Sequence, residues 1–445
     1  MKKCICILLM LTMLSVLFSC GKKSDSSEMT VTPTESATPT ESATPTVSIA
    51  PSVEVTATPT PTEALSAEEK WYGEILDRSL MNLGNNYRLR KVIEKAQTGE
   101  DVYIGFIGGS ITEGEGASYK YCYASQTFEN FKKAYGVGNG DNIHMINAGV
   151  SGTPSTLGVI RYERDLIEKN DGHKPDLLII EFAVNDADDP TNGATYEGLI
   201  RRTLYADNSP AVVLLFSVFQ SRWNLQDRFQ MMGRYYQLPM VSIKDAIVPC
   251  LIDGSITDAK FFNDAYHPKM YGHTIMADCL GHLFEEMLAA EPAKEDAPVR
   301  EDPFKSSSFD NVHMLTAKST IVSAGSFTET DKAIGTTRYD NQGTFPDNWK
   351  HTAESGTKPL SFTVTAKSIL LTYKKSNKDS FGKIDVYVDG KKVTTIDGYD
   401  KGGWNQPYTA VILNEKEIGT HKVEVRMAPG SEKKDFTIMA FGYGD

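Results

Sequence analysis

A serine directly follows two glycines in the segment Gly108-Gly109-Ser110-Ile111-Thr112, at the end of an apolar run. A serine hydroxyl becomes a nucleophile when a base takes its proton and preorganised donors receive the oxyanion that forms. Three later segments supply groups of those types. Asp264-Ala265-Tyr266-His267 spaces a carboxylate and an imidazole so that one turn can set the acid on the ring. Asn147-Ala148-Gly149-Val150-Ser151-Gly152 is a glycine-containing loop whose free N–H groups can face an anion, and Val184-Asn185-Asp186 offers a side-chain amide. The chemistry these residues could perform together is acyl transfer through serine. Each also has a plainer explanation: a Gly-Gly-Ser turn suits any strand-to-helix loop, Gly152 can serve a turn alone, and Asn185 can cap its own loop. A second Asp-x-x-His, Asp310 to His313, is a reminder that the short pattern arises by chance.

These residues need elements to carry them. Near-continuous apolar runs at 102–107, 143–147, 177–182 and 212–218 read as parallel strands covered on both faces. Between them lie helical patterns at 124–134, 157–168, 196–204 and 227–236, with a last one at 271–290. Two further helical stretches come first, one through Trp71, Ile75, Leu80 and Leu83 and one over 87–97. Alternating strand and helix predicts an α/β, doubly wound parallel sheet between helix layers, with ligands at the carboxyl edge of the strands. Ser110 falls at the end of the first strand, Gly152 beyond the second and Asn185 beyond the third, so all three reach that edge. The Gly-x-Ser-x-Gly elbow of α/β-hydrolases is absent, because Thr112 stands where its last glycine would be.

The four blocks together resemble the SGNH (GDSL-like) hydrolase superfamily over about residues 70–290: Gly109-Ser110 is similar to its first block, Ser151-Gly152 to its second, Asn185-Asp186 to its third and Asp264-x-x-His267 to its fifth. That resemblance implies Ser110 as nucleophile, Asp264 and His267 completing the triad, and Gly152 and Asn185 with the Ser110 amide as oxyanion donors. Two departures mark a divergent branch. Gly109 replaces the usual Asp before the serine, and Ala183 replaces a common Gly two residues before the Asn.

Residues 1–20 carry Lys2 and Lys3, an apolar run from Ile5 to Phe18, and Ser19-Cys20, the pattern of a lipoprotein signal peptide with a lipobox. The expectation is export with lipidation at Cys20 and attachment to a bacterial membrane through that lipid alone, plain secretion being the alternative. Residues 21–64 are Thr- and Pro-rich and repeat Thr-Pro-Thr-Glu-Ser-Ala, a tether that could reach ~140 Å at roughly 3 Å per residue. The catalytic domain is expected over 65–290, a Pro- and charge-rich linker over 291–302, and a smaller antiparallel β-sandwich of jelly-roll type over 303–445, where short alternating runs are separated by turns such as Asp389-Gly390.

Of six cysteines in 445 residues, Cys4 and Cys6 lie in the signal and Cys20 is the anchor, which leaves Cys122, Cys250 and Cys279, too few and too irregular for a disulfide framework or a metal pattern. A formal net charge of −12 argues against nucleic acid and favours a neutral substrate. His144, His173, His273 and His282 read as surface or packing residues, and no cofactor is called for. The resemblance implies a serine esterase that removes acyl groups, acetyl first among them, from a polysaccharide or oligosaccharide. A lipase, lysophospholipase or thioesterase would use the same triad, and a surface lipoprotein that only binds glycans is the alternative outside catalysis. Trp223, Trp349, Trp404 and Tyr408 are candidates for stacking on sugar rings, each with burial as the alternative. The oligomeric state is left open.

Overall fold

The computed structural model describes residues 65–335 and 344–445. Cys20, the signal segment and the Thr/Pro-rich stretch lie outside the described residues. The first half is a six-stranded sheet built from β1 (Leu80–Asn82), β2 (Val102–Gly108), β3 (Ile143–Gly149), β4 (Leu177–Glu181), β5 (Ala211–Phe216) and β6 (Met240–Ser242), in the order β1-β6-β5-β4-β2-β3. Five strands are parallel, as their unbroken apolarity predicts, and β1 pairs antiparallel to β6 at the edge.

Period-2 alternation sends Leu177 and Ile179 of β4 into one helix-covered core and Leu178 and Ile180 into the other. The first core packs on helices Ala67–Ser79, Tyr87–Gln97, Tyr123–Tyr135, Ile243–Asp253 and Met270–Ala289, and the second on Ser155–Leu166, Ala194–Leu204 and Gln226–Tyr235. This is the expected α/β doubly wound sandwich. The first helix departs from expectation: it ends at Ser79, and Leu80 pairs with Val241 in the sheet instead of continuing the helix toward Leu83. Tertiary pairing at the sheet edge overrides a helical period there.

The second half is antiparallel throughout: β7 (Val312–Leu315), β8 (Trp349–His351), β9 (Leu360–Ser376), β10 (Lys383–Val388), β11 (Lys391–Asp397), β12 (Trp404–Met427) and β13 (Phe436–Gly444). All seven belong to one continuous sheet, ordered β11-β10-β12-β9-β13-β7, with β8 also on β13. The two long strands make the sandwich. The first part of β9 pairs with the last part of β12, and the last part of β9 pairs with the first part of β12 and with β13. The register breaks between Asn414 and Gly419, where the sheet turns a corner. Both layers then share one core that contains Phe362 and Val425 from one and Leu371 and Ile438 from the other. The tight turn at Asp389-Gly390 forms as its residues predict, with φ of 51° and 76°.

The halves are joined by apolar packing. Leu370, Met439 and Val312 share a core with Ile160 of helix Ser155–Leu166, and a Cβ on Gly442 would stand 2.7 Å from the Ile160 side chain. The Pro- and charge-rich connector is pinned along the first half: Asp296 pairs with Arg88 at 2.7 Å, the Arg300 carbonyl accepts from Arg201, and the Glu197 carboxylate receives the amides of Phe304, Lys305 and Ser306. Residues 64–445 accordingly make one compact unit.

Candidate active site

Strand β2 ends at Gly108, and a short helix, Ser110–Glu113, begins at once. The glycines permit this close turn: a Cβ on Gly108 would collide with the Thr112 side chain at 2.1 Å, and one on Gly109 would meet the Asn185 amide at 2.4 Å. The absence of a side chain at 109, one of the two departures from the family pattern, is what brings Asn185 against the serine turn. Across the sheet edge Asp264 and His267 sit on a compact loop just before helix Met270–Ala289. The Ser110 hydroxyl lies 2.9 Å from His267 Nε2, and His267 Nδ1 lies 2.9 and 3.0 Å from the two Asp264 oxygens.

The Asp264 carboxylate is exposed on one side, and the desolvation of its other side would by itself raise its pKa. Hydrogen bonds from the imidazole and from the amides of Tyr266 and His267 outweigh that desolvation and hold it at about 2. The acid therefore stays ionised at any ordinary pH, and it fixes the imidazole with Nδ1–H toward itself and Nε2 open to the Ser110 proton. The second Asp-x-x-His pair does nothing similar: Asp310 pairs with Arg201 and His313 with Asp445.

Gly152 lies in the loop after β3 with φ of 68°, a left-handed conformation that favours glycine. The loop is held from below. Gly149 packs so closely on the backbone of the serine helix that a Cβ there would stand 2.2 Å from the Glu113 amide nitrogen, and the Glu113 carboxylate accepts the Ser151 N–H at 2.6 Å. Asn147 joins the same two segments, donating to the Thr112 carbonyl at 2.8 Å. Beneath both, Arg161 donates to the carbonyls of Gly108 and Ala148 at 3.0 and 2.5 Å. Asp186, next to Asn185, accepts from the Ser155 amide and hydroxyl at the start of the following helix, and burial pushes its carboxyl up to about 7. Glu113, Arg161 and the partners of Asp186 escaped the sequence reading. Within an apolar helix pattern a buried Arg161 gives no signal, whereas Glu113 directly follows the serine motif and could have been noticed.

Of the other histidines, His144 and His282 lie at the surface beside Asp101 and Asp77, at 2.8 and 3.0 Å. His273 is buried, accepts from the Tyr123 amide, and contacts the Glu115 carbonyl, with burial pushing its pKa down to about 4.

The aromatic candidates separate. Trp349 is 2% exposed in the β-sandwich core, so its place is structural. Tyr408 is partly exposed with Lys375 4.1 Å from its ring. Trp223 is 37% exposed and stacks on Phe219, which packs edge-on against the exposed Tyr266 beside His267. Trp404 is 44% exposed, and its indole lies against the backbone of Gly152, where a Cβ would stand 3.0 Å from Cζ2. The β-rich half thus delivers a tryptophan to the loop that carries Gly152. Its backbone there is fixed by a bond from the Gly335 amide to the Asn405 carbonyl and by Asn405 accepting from Ser376.

Comparison with known proteins agrees with this arrangement. Residues 106–275 match the family described as GDSL-like lipase/acylhydrolase. A two-domain esterase (CEX) active on acetylated mannans shares 28% sequence identity over 83% of this chain and 98% of its own, with a TM-score of 0.73. The same esterase co-crystallised with mannopentaose aligns over the same shares at the same identity, with a TM-score of 0.72. No curated protein matches the sequence. The serine turn, the loops of Gly152 and Asn185 and the final Asp-x-x-His all lie inside residues 106–275, the segment similar to the GDSL-like lipase/acylhydrolase family, and the chain as a whole is similar in fold to that two-domain esterase.

Proposed function

We propose that this protein is a serine esterase that removes acetyl groups from a polysaccharide, with acetylated mannan as the first candidate. Ser110 attacks the ester carbonyl while His267 Nε2 takes its proton, and Asp264 stabilises the imidazolium through Nδ1–H. The amides of Ser110 and Gly152 and the side chain of Asn185 donate to the oxyanion. Collapse of the tetrahedral intermediate breaks the bond from the acyl carbon to the sugar oxygen, His267 gives its proton to that leaving oxygen to free the sugar hydroxyl, and an acetyl-enzyme remains. A water activated by His267 then releases acetate and frees Ser110.

The observation that carries the carbohydrate reading is the position of Trp404 against Gly152. An exposed indole beside an oxyanion loop presents a flat apolar face of the kind that stacks on a sugar ring, and it comes from the half of the chain that has no part in the relay. The likeness to an esterase active on acetylated mannans supports the same substrate class. In the same proposal Cys20 carries a lipid that tethers the enzyme at the bacterial surface, within reach of external polymers.

The test measures acetate release from acetylated mannan and turnover of p-nitrophenyl esters of rising chain length. We expect acetate release and a strong preference for two-carbon over eight-carbon acyl groups; preference for the long chains would make the enzyme a lipase. Trp404→Ala should lower kcat/KM on acetylated mannan about tenfold more than on p-nitrophenyl acetate, because remote binding energy is available only to the polymer. Equal losses on both would remove Trp404 from sugar recognition.

A further inference from the structure

The last residue of β4 is a glutamate with no counter-charge. Glu181 pairs in register with Gly108, so its side chain continues the row of Leu177 and Ile179 and arrives directly beneath the serine turn. It is fully buried. Thr112, two residues after the nucleophile, donates to its Oε2 at 3.1 Å, and Tyr123 contacts the Thr112 hydroxyl at 2.8 Å. The groups facing it from the surrounding elements are all neutral at physiological pH. They are the Gly109 amide, the hydroxyls of Thr112 and Ser217, Tyr123 from helix Tyr123–Tyr135, and Tyr196 from helix Ala194–Leu204, which also feels the buried Asp186. Among the described residues no Lys, Arg or His forms an ion pair with Glu181, in contrast to Asp165, which Arg161, Arg164 and Lys169 surround.

We propose that Glu181 is a positioning residue for the nucleophile turn and that it acts as a neutral carboxylic acid. It braces Gly109 and Thr112 from below while keeping negative charge out from under the place where the oxyanion forms. A buried acid without a cation favours its protonated form, because a lone charge in a dry interior is costly. Burial outweighs the opposing pull of Ser217, Thr112 and Gly109 and pushes the Glu181 carboxyl up to about 7. Above that pH a carboxylate lies against the Gly109 amide, one residue before Ser110, and opposes the developing oxyanion, so turnover falls for a reason separate from His267.

The sign for stability is the same. A carboxyl whose pKa is raised on folding contributes fully below its unfolded value, and that contribution is lost as pH rises from about 4.5 to about 7.

The inference rests on the esterase reading, since the readout is ester turnover; a native protein inactive on every ester would refute that reading, whereas the comparison below refutes only the role of Glu181. Glu181→Gln keeps the shape and one donor but cannot ionise. The ratio of kcat/KM on p-nitrophenyl acetate, Glu181→Gln over native, should climb at least fivefold from pH 5.5 to 8.5, a comparison in which the titration of His267 cancels. The melting temperature of Glu181→Gln relative to native should rise over the same interval. Thr112→Val, which removes a donor that lowers the acid, should move the native alkaline decline to higher pH and provides the test if Glu181→Gln does not fold. A ratio flat with pH, or an unmoved decline in Thr112→Val, would make Glu181 a packing residue only.

Discussion

Ser110→Ala lowers kcat on p-nitrophenyl acetate by roughly 10⁵- to 10⁶-fold, the loss expected when a serine enzyme is deprived of its nucleophile, while the melting temperature stays within about 2 °C of native. The chemical half follows from the relay: the Ser110 hydroxyl is the only group at that turn within hydrogen-bonding distance of His267 Nε2 in the arrangement described, at 2.9 Å. The stability half follows from the turn. The neighbours of Ser110 are glycines and a short helix whose packing runs through Ile111, Thr112 and Glu113, so a missing hydroxyl leaves little behind. Initial rates and a thermal melt on the same preparation check both. Turnover within tenfold of native would mean that the ester is cleaved elsewhere.

Asp264→Asn should cost about 10⁴ in kcat. Asparagine keeps the volume and the two backbone amide contacts at 2.8 and 2.9 Å, but its NH₂ can face the imidazole, which turns the Nε2 proton toward Ser110 and leaves the nucleophile without a base. Because the native carboxyl is held at about 2, it is ionised throughout any practical assay, so the defect should be constant from pH 5 to 9. The pH profile of kcat on an activated ester measures this. A defect that disappears at high pH would assign Asp264 a charge-balancing role instead of a tautomer-fixing one.

The site was more legible in the sequence than the way the chain supports it. Ser110, Gly152, Asn185, Asp264 and His267 sit in short segments where glycine or a polar residue breaks an apolar run, and that break is visible in one dimension. The structure brings Ser110, Asp264 and His267 into one hydrogen-bonded chain and Asn185 against the serine turn. Arg161 and Glu181 were invisible as supports because each interrupts or ends an apolar element, where a charged residue ordinarily marks a solvent-facing position. What distinguishes them is the backbone amide or carbonyl each meets, and that depends on parallel register between distant strands. The short strands β1 and β6 were missed because three residues carry no periodicity. In the second half the sequence over 361–365 and over 369–373 reads as two short runs, but both lie in one strand, β9, whose alternation stops at Ile369 because its second part is buried on both faces. The same burial explains the connector. Its composition suggests a free hinge, but Leu370 and Met439 need the apolar face of helix Ser155–Leu166, and satisfying that face pins the connector and sets Trp404 beside Gly152.

Labelling with a serine-directed organophosphonate, followed by peptide mass spectrometry, reads out whether Ser110 carries the acyl group. The expected result is one adduct per chain on the peptide containing Ser110, formed in step with loss of esterase activity and absent from Ser110→Ala. Activity lost with the adduct on another residue, or full activity retained after Ser110 is modified, would contradict it.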